Sequence, residues 1–134
     1  MNNADSPSPV HFRHRLRVRY AETDAGGVAH HSSYVAWLEE ARTEWMRSRG
    51  RSYRDVEAGG HFLKIAEMQV QYLAPSRYDD HLEITVFELR RRRVSFDLGY
   101  EIRRVGESEV IAKAMTRLAC TDLEGHLRRL PAGV

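Results

Sequence analysis

The chain of 134 residues contains a single cysteine, Cys120, and no long run of apolar residues. A lone cysteine excludes an internal disulfide and favours a reducing compartment, so we expect a cytoplasmic protein. Without a long apolar run we expect no membrane-spanning helix, and the polar start MNNADSPSP lacks the apolar core of a signal peptide. With 42% hydrophobic and 30% charged residues, the composition is that of an ordinary globular protein.

The chain also lacks a strong excess of charge, because its formal net charge is only +2. A balance this even provides no global field that would attract nucleic acid, and we expect no nucleic-acid partner. Only two lysines are present, Lys64 and Lys113, so nineteen of the 21 basic residues are arginine. In so arginine-rich a chain, a single arginine is weak evidence for a function.

The hydrophobic pattern changes its period along the chain. Residues 1–10 are predicted to form a flexible tail, and residues 11–134 one domain. Alternating residues predict a first strand over 13–20, and apolar spacings of three and four predict a long helix that Ser32 or Ser33 caps and Gly50 ends. A short helical turn and four alternating strands follow, at 52–58, 61–75, 81–89, 94–102 and 110–122.

This order of elements favours an α+β fold in which a five-stranded antiparallel sheet wraps around the long helix. Tryptophans on the apolar stripe of the helix need an apolar wall, which such a sheet provides. A sheet of this kind leaves an edge strand open, and a second copy of the chain could cover it by strand pairing. We therefore expect a homo-oligomer.

Chemically useful residues concentrate in YAETDAGGVAHHSSYVAWLEEAR, residues 20–42. An aspartate carboxylate is ionised at neutral pH and can act as a nucleophile or general base. Glycines let the backbone turn tightly and let a ligand approach closely. The start of a helix presents backbone N–H groups without partners, together with positive partial charge. A carboxylate close to such amides is a minimal arrangement for attack on a carbonyl group.

This segment resembles the signature of hotdog-fold acyl-CoA thioesterases of the 4-hydroxybenzoyl-CoA thioesterase family, in particular the bacterial branch associated with the Tol–Pal cluster. VQYLAPSRYDDHLEI, residues 70–84, resembles a second segment of that family. The resemblance extends from about residue 13 to residue 130. It implies a hotdog fold, hydrolysis of acyl-CoA to free acid and coenzyme A without a cofactor, and dimers or dimers of dimers with the site at a subunit interface.

The resemblance also implies roles for individual residues. Asp24 falls on the catalytic aspartate of the family and His31 on the helix-start histidine, whose backbone N–H would polarise the thioester carbonyl. Because a thiolate leaves with little protonic help, one acid could suffice. Predicted substrate-binding residues are Gly27, Val28 and Tyr34, while Glu39 and Arg42 match further helix positions of the family. The chain departs from the common pattern at Glu22 and His30, which bears on the shape of the substrate.

Simpler interpretations of the same residues remain open. Asp24 could be an ordinary turn residue, His31 a local cap, and Tyr34 part of the core. Glu39 and Arg42 lie three apart on the helix and could form an ordinary helical ion pair. Adjacent histidines in a loop lack the spacing of a recognised metal site, and we expect no metal.

The densest run of charge is Arg90, Arg91, Arg92 and Arg93, in the predicted turn between two strands. Arginine binds phosphate in a bidentate manner, so this run could hold the phosphates of coenzyme A. It could also be a solvated turn. Nucleic-acid binding is the weakest interpretation, because no stacking aromatic residues are interleaved with the run.

Two other functional classes remain possible on the same fold. One is a module that binds acyl-CoA or acyl-carrier protein without turnover. The other is an enoyl-thioester hydratase or dehydratase, which would need a histidine base and a carboxylate in a different order. Motifs for a serine nucleophile elbow, a zinc protease, a dinucleotide fold or a P-loop are absent from the sequence.

Overall fold

The computed structural model describes residues 11–134, so the flexible tail predicted over 1–10 lies outside the described part of the chain. Every predicted element is present, with ends that differ by a few residues. A short 3-10 turn at Tyr20–Glu22 precedes the long helix. The other elements are β1 (Phe12–Arg17), α1 (His31–Ser48), α2 (Tyr53–Ala58), β2 (Phe62–Tyr72), β3 (His81–Arg91), β4 (Ser95–Arg104) and β5 (Val110–Thr121).

The five strands form one antiparallel sheet in the order β1-β3-β4-β5-β2. β2 does not pair with β3, which follows it in the chain, but lies beside β5 at the opposite edge. Residues 73–80 make the crossing from β2 to β3. Because that crossing contributes to the wall of the candidate site, the sheet order determines where the site forms.

Helix α1 packs its apolar stripe against one face of the sheet. Trp37, Leu38 and Ala41 are almost completely buried, as are the alternate β4 residues Phe96 and Leu98. These residues form one core of large apolar side chains between helix and sheet, and burying them is the main stabilising contribution to the fold. The predicted architecture, a five-stranded sheet around one long helix, is confirmed.

The opposite face of the sheet carries a buried carboxylate. Asp97 on β4 is 6% exposed and accepts hydrogen bonds at 2.9 and 3.0 Å from Arg92. Arg117 on β5 donates to the same carboxylate at 2.9 and 3.3 Å. The hydrogen bonds from Arg92 and then Arg117 hold the pKa of Asp97 far below its usual range. This cluster joins the β3–β4 hairpin to β5.

Within residues 11–134, neither helix combines the length with the apolar character that crossing a bilayer requires.

Candidate active site

The loop between the 3-10 turn and α1 holds Asp24 in a closed hydrogen-bonded turn. The Asp24 N–H donates to the carbonyl of Val28 at 2.8 Å. Oδ1 of Asp24 accepts from the Gly26 and Val28 N–H groups at 2.8 and 3.3 Å. Oδ2 has no hydrogen-bond partner among the residues that the structure describes. One carboxylate oxygen is therefore fixed by the loop, while the other is open for chemistry.

Gly27 makes this turn possible, because its φ of +83° lies in the left-handed region that side-chain-bearing residues rarely adopt. Its neighbour Gly26 is constrained in a different way. A Cβ atom at Gly26 would lie 3.3 Å from Oδ1 of Asp24, tighter than nearly all such contacts. Both glycines therefore serve the placement of the carboxylate.

The start of α1 is left without a side-chain cap. The helix begins at His31, and the preceding His30 makes no capping hydrogen bond. The predicted cap by Ser32 or Ser33 is wrong, because the Ser33 hydroxyl instead donates to the Glu22 carbonyl at 3.0 Å. Across residues 11–134, the backbone N–H groups of His31 and Ser32 have no acceptor. The helix therefore presents unpaired N–H groups where the sequence predicted a carbonyl-polarising amide.

Asp24 and these amides line the same open cavity, of about 410 Å³. Its wall consists of Asp24, Val28, Ala29, His30, His31 and Ser32. A second cavity of about 260 Å³ adjoins it, since Val28, Ala29 and His31 line both, and Tyr34 and Tyr72 line only the second. The structure thus brings Asp24, Val28, His31 and Tyr34 together in these two cavities, while Gly27 lies in the loop beside them and lines neither.

Glu22 ties the loop to the helix. Its side chain accepts hydrogen bonds from the Trp37 indole at 3.0 Å and from the Arg19 N–H at 2.8 Å, and its carbonyl accepts from the His30 N–H at 2.8 Å. Burial acts to raise the pKa of Glu22, but the hydrogen bonds from Arg19 and Trp37 outweigh it and lower that pKa. In the sequence, Glu22 was only a departure from the family pattern. In the structure, its hydrogen bonds connect the loop to α1.

Tyr72 is a residue of the site that the sequence analysis missed. Its ring stacks on the His31 imidazole, with centroids 4.0 Å apart and planes at 14°. Its hydroxyl donates to the His31 carbonyl at 3.0 Å. Tyr34 meets Tyr72 edge-on and is almost fully buried, its hydroxyl 2.8 Å from that of Ser76. The sequence offered one signal for this role, the tyrosine of the family-like segment VQYLAP. Its contact with His31 could not be predicted, because His31 lies on α1 and Tyr72 on β2.

The arginine run lies far from Asp24 within one subunit. Arg91, Arg92 and Arg93 line a cavity of about 480 Å³ together with Arg49, which directly follows α1. His31 begins the same helix, and eighteen residues of helix span about 27 Å. The structure therefore separates the predicted phosphate-binding run from the predicted catalytic pair by the length of α1.

The four arginines also differ in how they are used. Arg92 is bound to Asp97, and Arg91 donates to Glu88 and to the Val134 carbonyl. Within the described range, Arg90 and Arg93 form no ion pair. Only Arg90 and Arg93 are thus available to a phosphate without breaking an existing ion pair.

Glu39 and Arg42 do not form the helical ion pair that their spacing allowed. No nitrogen of Arg42 lies within 4 Å of a carboxylate oxygen in the described part of the chain. Arg42 is instead 8% exposed, with its guanidinium 3.4 Å from the Tyr100 hydroxyl.

A carboxylate with one open oxygen beside unpaired helix-start amides can attack an activated carbonyl group and stabilise the charge that develops on its oxygen, which is the chemistry of an acyl-transfer enzyme. The chain belongs to the thioesterase-like superfamily, whose family model matches residues 18–134. It is 37% identical over 124 residues to the acyl-CoA thioester hydrolase YbgC of Escherichia coli O6:H1, with 92% of each chain covered.

Solved structures show the same fold. A hypothetical protein from Aquifex aeolicus is 32% identical and superposes with a TM-score of 0.85, covering 90% of this chain and 93% of that one. The DHNA-CoA thioesterase of Staphylococcus aureus is 27% identical, also with a TM-score of 0.85, covering 90% of this chain and 80% of that chain. The predictions of a hotdog fold and of membership in the thioesterase class are confirmed.

Proposed function

We propose that the chain hydrolyses acyl-CoA thioesters to the free carboxylic acid and coenzyme A, with Asp24 as nucleophile or general base. The observation that carries this proposal is the shared cavity of Asp24 and the start of α1. A thioester carbonyl that accepts from the His31 N–H lies in the same cavity as the Asp24 carboxylate, whose Oδ2 is open. The charge that develops on the carbonyl oxygen then meets unpaired amides at the positive end of a helix.

Each residue of the loop has a defined task in this mechanism. Gly26 and Val28 amides orient the Asp24 carboxylate through Oδ1, which leaves Oδ2 to react. Oδ2 either takes a proton from the water that attacks the carbonyl carbon, or attacks that carbon itself to form a mixed anhydride, which water then hydrolyses to the free acid and Asp24. Gly27 permits the turn that presents it. Val28 and Tyr34 form the wall beside the acyl group, and the stacked rings of His31 and Tyr72 hold the helix start in place. The coenzyme A thiolate is the leaving group and needs no acid of its own.

The proposal includes a homo-oligomer, a dimer or a dimer of dimers. β2 is eleven residues long and pairs only with β5 in the described chain, so its other edge is open. A long open edge invites pairing, and a second β2 related by a two-fold axis would satisfy it. Ile65 and Tyr72 on this strand are 42% and 37% exposed, which is apolar surface that such a partner would cover.

This two-fold axis gives the arginine run a role in the second subunit. Antiparallel pairing of two β2 strands reverses the direction of α1 in the partner. The arginine end of one α1 then lies at the same end of the assembly as the start of the other. We place Arg90 and Arg93 of one subunit on the coenzyme A phosphates bound at Asp24 of the other.

A cytoplasmic location completes the proposal. Cys120 is a buried free thiol, and burial raises its pKa. A chain whose one cysteine has no disulfide partner fits a reducing compartment.

Asp24→Asn is the direct test of the mechanism. The amide oxygen of asparagine still accepts from the Gly26 and Val28 N–H groups, so the loop is expected to keep its shape while the negative charge is lost. We expect thiol release from acyl-CoA to fall roughly a hundredfold or more, with an unchanged thermal unfolding midpoint. Thiol release is followed with a thiol-reactive dye across acyl thioesters.

Turnover by Asp24→Asn close to that of the wild type would exclude Asp24 as the nucleophile or general base. Tight binding of acyl-CoA by a wild-type chain that releases no thiol would instead identify a binding module. Hydration of an enoyl thioester without thiol release would identify a hydratase.

A further inference from the structure

A cavity of about 300 Å³ lies between α1, α2 and the sheet, away from Asp24. It is more enclosed than the cavity at the start of α1. Its wall is about half polar and half apolar, and one cation is built into it. Its lining residues are Glu39, Arg42, Thr43, Met46, Tyr53, Leu63, Ile65 and Leu118.

The cation is Arg42, which is more than nine-tenths buried. Its guanidinium has five N–H donors, and among residues 11–134 the one acceptor it meets is the Tyr100 hydroxyl at 3.4 Å. That hydroxyl is already engaged with the Thr116 hydroxyl at 2.7 Å. A buried guanidinium without a carboxylate partner is costly, so its presence in a cavity wall indicates an acceptor supplied from outside the chain.

The cavity lies farther along α1 than the candidate active site. His31 and Arg42 are eleven residues apart on α1, which is about 16 Å along the helix axis. The same two elements, α1 and β2, contribute to the walls of this cavity and of the cavity that Tyr34 lines. Tyr34 and Tyr72 belong to the end near Asp24, while Arg42 and Ile65 belong to the far end. An acyl group that leaves the scissile carbonyl along α1 therefore runs toward Arg42.

We propose that Arg42 binds a carboxylate at the far end of the acyl group, so that the preferred substrates are coenzyme A thioesters of dicarboxylic acids. This inference depends on the proposed thioesterase function. The planar guanidinium matches a carboxylate in a bidentate pair, and the burial of Arg42 limits the water around it. Met46, Leu63 and Leu118 take the methylene groups that join the two ends of the acyl group.

Glu39 lines the same cavity with the opposite charge. It is exposed, and no nitrogen of Arg42 lies within 4 Å of its carboxylate oxygens. A substrate carboxylate at Arg42 is repelled by Glu39, so the two residues have opposite effects on the same substrate. Removing the charge of Arg42 and removing the charge of Glu39 should therefore change the preference for such a substrate in opposite directions.

The test compares glutaryl-CoA with pentanoyl-CoA, and adipoyl-CoA with hexanoyl-CoA, as ratios of kcat/KM. The wild type is expected to favour the member of each pair that carries a carboxylate. Arg42→Met is expected to lower each ratio at least tenfold, and Glu39→Gln to raise it. Ratios that are the same in the wild type and in Arg42→Met would overturn the inference, as would a wild-type preference for pentanoyl-CoA and hexanoyl-CoA.

Failure of this inference can be separated from failure of the proposed function. Thiol release from pentanoyl-CoA without any preference for glutaryl-CoA rejects the carboxylate subsite and leaves the thioesterase intact. If no thioester releases thiol, calorimetric affinities of glutaryl-CoA and pentanoyl-CoA still decide the matter. They are measured in Asp24→Asn with and without Arg42→Met, and equal affinities in both variants reject the subsite.

A second variant covers the possibility that Arg42→Met does not fold, as judged by its thermal unfolding. Arg42→Lys keeps the positive charge but loses the planar fork. A drop of at least threefold in the ratio of glutaryl-CoA to pentanoyl-CoA supports the subsite. An unchanged ratio in a folded Arg42→Lys rejects bidentate recognition.

Discussion

At Asp24 the two oxygens of one carboxylate are divided between structure and chemistry. Oδ1 is occupied by loop amides, and Oδ2 has no partner within residues 11–134. Such a division fixes the orientation of the reactive oxygen without shielding its charge. Replacing Gly27, the loop residue with a left-handed backbone conformation, would distort the loop and displace the carboxylate.

Gly27→Ala is expected to destabilise the fold by about 1 kcal/mol, because alanine is strained at a φ of +83°. Gly106→Ala is the matched control, since Gly106 has a φ of +84° and equally open surroundings in the β4–β5 turn. Both variants should lose similar stability in urea denaturation. Only Gly27→Ala should also lose thiol release. Equal activity of the two variants would show that the conformation of the Asp24 loop does not contribute to catalysis.

Residues in one contiguous segment could be predicted as a group. Asp24, Gly27 and His31 were found because their spacing along the chain matches a known signature. The contacts of Tyr72 and Arg42 could not be predicted, because they arise from the packing of α1 against β2 and β4. A helical spacing suggested an ion pair for Arg42, whereas the fold turns its guanidinium toward Tyr100.

Asp97 is the strongest ionic link between elements, since it binds both Arg92 and Arg117. We expect Asp97→Asn to lower the free energy of unfolding at neutral pH by about 2 kcal/mol, less than for a fully buried pair because both guanidiniums are partly exposed. The folded pKa of Asp97 lies below its unfolded value. This stabilisation is therefore complete above the unfolded pKa and is lost as the pH falls toward the folded one.

Urea denaturation at about pH 7 and about pH 3 measures this effect, since the unfolded pKa of aspartate is about 3.9. The difference between the wild type and Asp97→Asn should shrink at the lower pH. A difference that stays constant would show that the carboxylate charge does not contribute.

The open edge of β2 makes a prediction about assembly. Ala66 lies at the register shift between Ile65 and Glu67 and has no partner residue on β5. Ala66→Pro should therefore spare the β2–β5 ladder while blocking strand pairing across the open edge. Analytical ultracentrifugation should show a shift toward monomer. Ser108→Pro, in the β4–β5 turn, is the control that should remain assembled; dissociation of both variants would implicate general destabilisation.

Elements with a clear period were predictable from local sequence, and their placement in the sheet was not. Alternation identified β2 as a strand, but nothing in its residues shows that it pairs with β5 rather than β3. The helix cap was predicted two or three residues too late, since His30 occupies that position and the Ser33 hydroxyl donates to the Glu22 carbonyl instead. This hydrogen bond joins residues eleven positions apart, so it depends on how the chain folds and cannot be inferred from the local sequence.

For the whole molecule, the distance between Asp24 and the arginine run leads to a test by subunit mixing. In the proposed assembly a complete site takes Asp24 from one subunit, and Arg90 and Arg93 from the other. Asp24→Asn and the double variant Arg90→Ala, Arg93→Ala are each expected to be weak alone. A mixed dimer regains one complete site, so mixing after denaturation and refolding should restore activity.

The amount of activity restored shows whether the arginines act on the site of the partner subunit or on the site of their own subunit. Random reassortment of equal amounts yields about half of the dimers mixed, each with one intact site, so roughly a quarter of wild-type thiol release is expected. If the arginines act within their own subunit, mixing restores nothing beyond the average of the two variants.

The uncapped start of α1 has a consequence for protein engineering. His30 leaves two amides unpaired, where an aspartate or serine would add about 1 kcal/mol of helix stability. A search for heat-resistant variants would select such a replacement readily. Its side chain would then accept from the Ser32 N–H and place a competing oxygen beside the His31 N–H that a substrate carbonyl requires. We therefore expect heat-resistant variants of this kind to release thiol more slowly than the wild type.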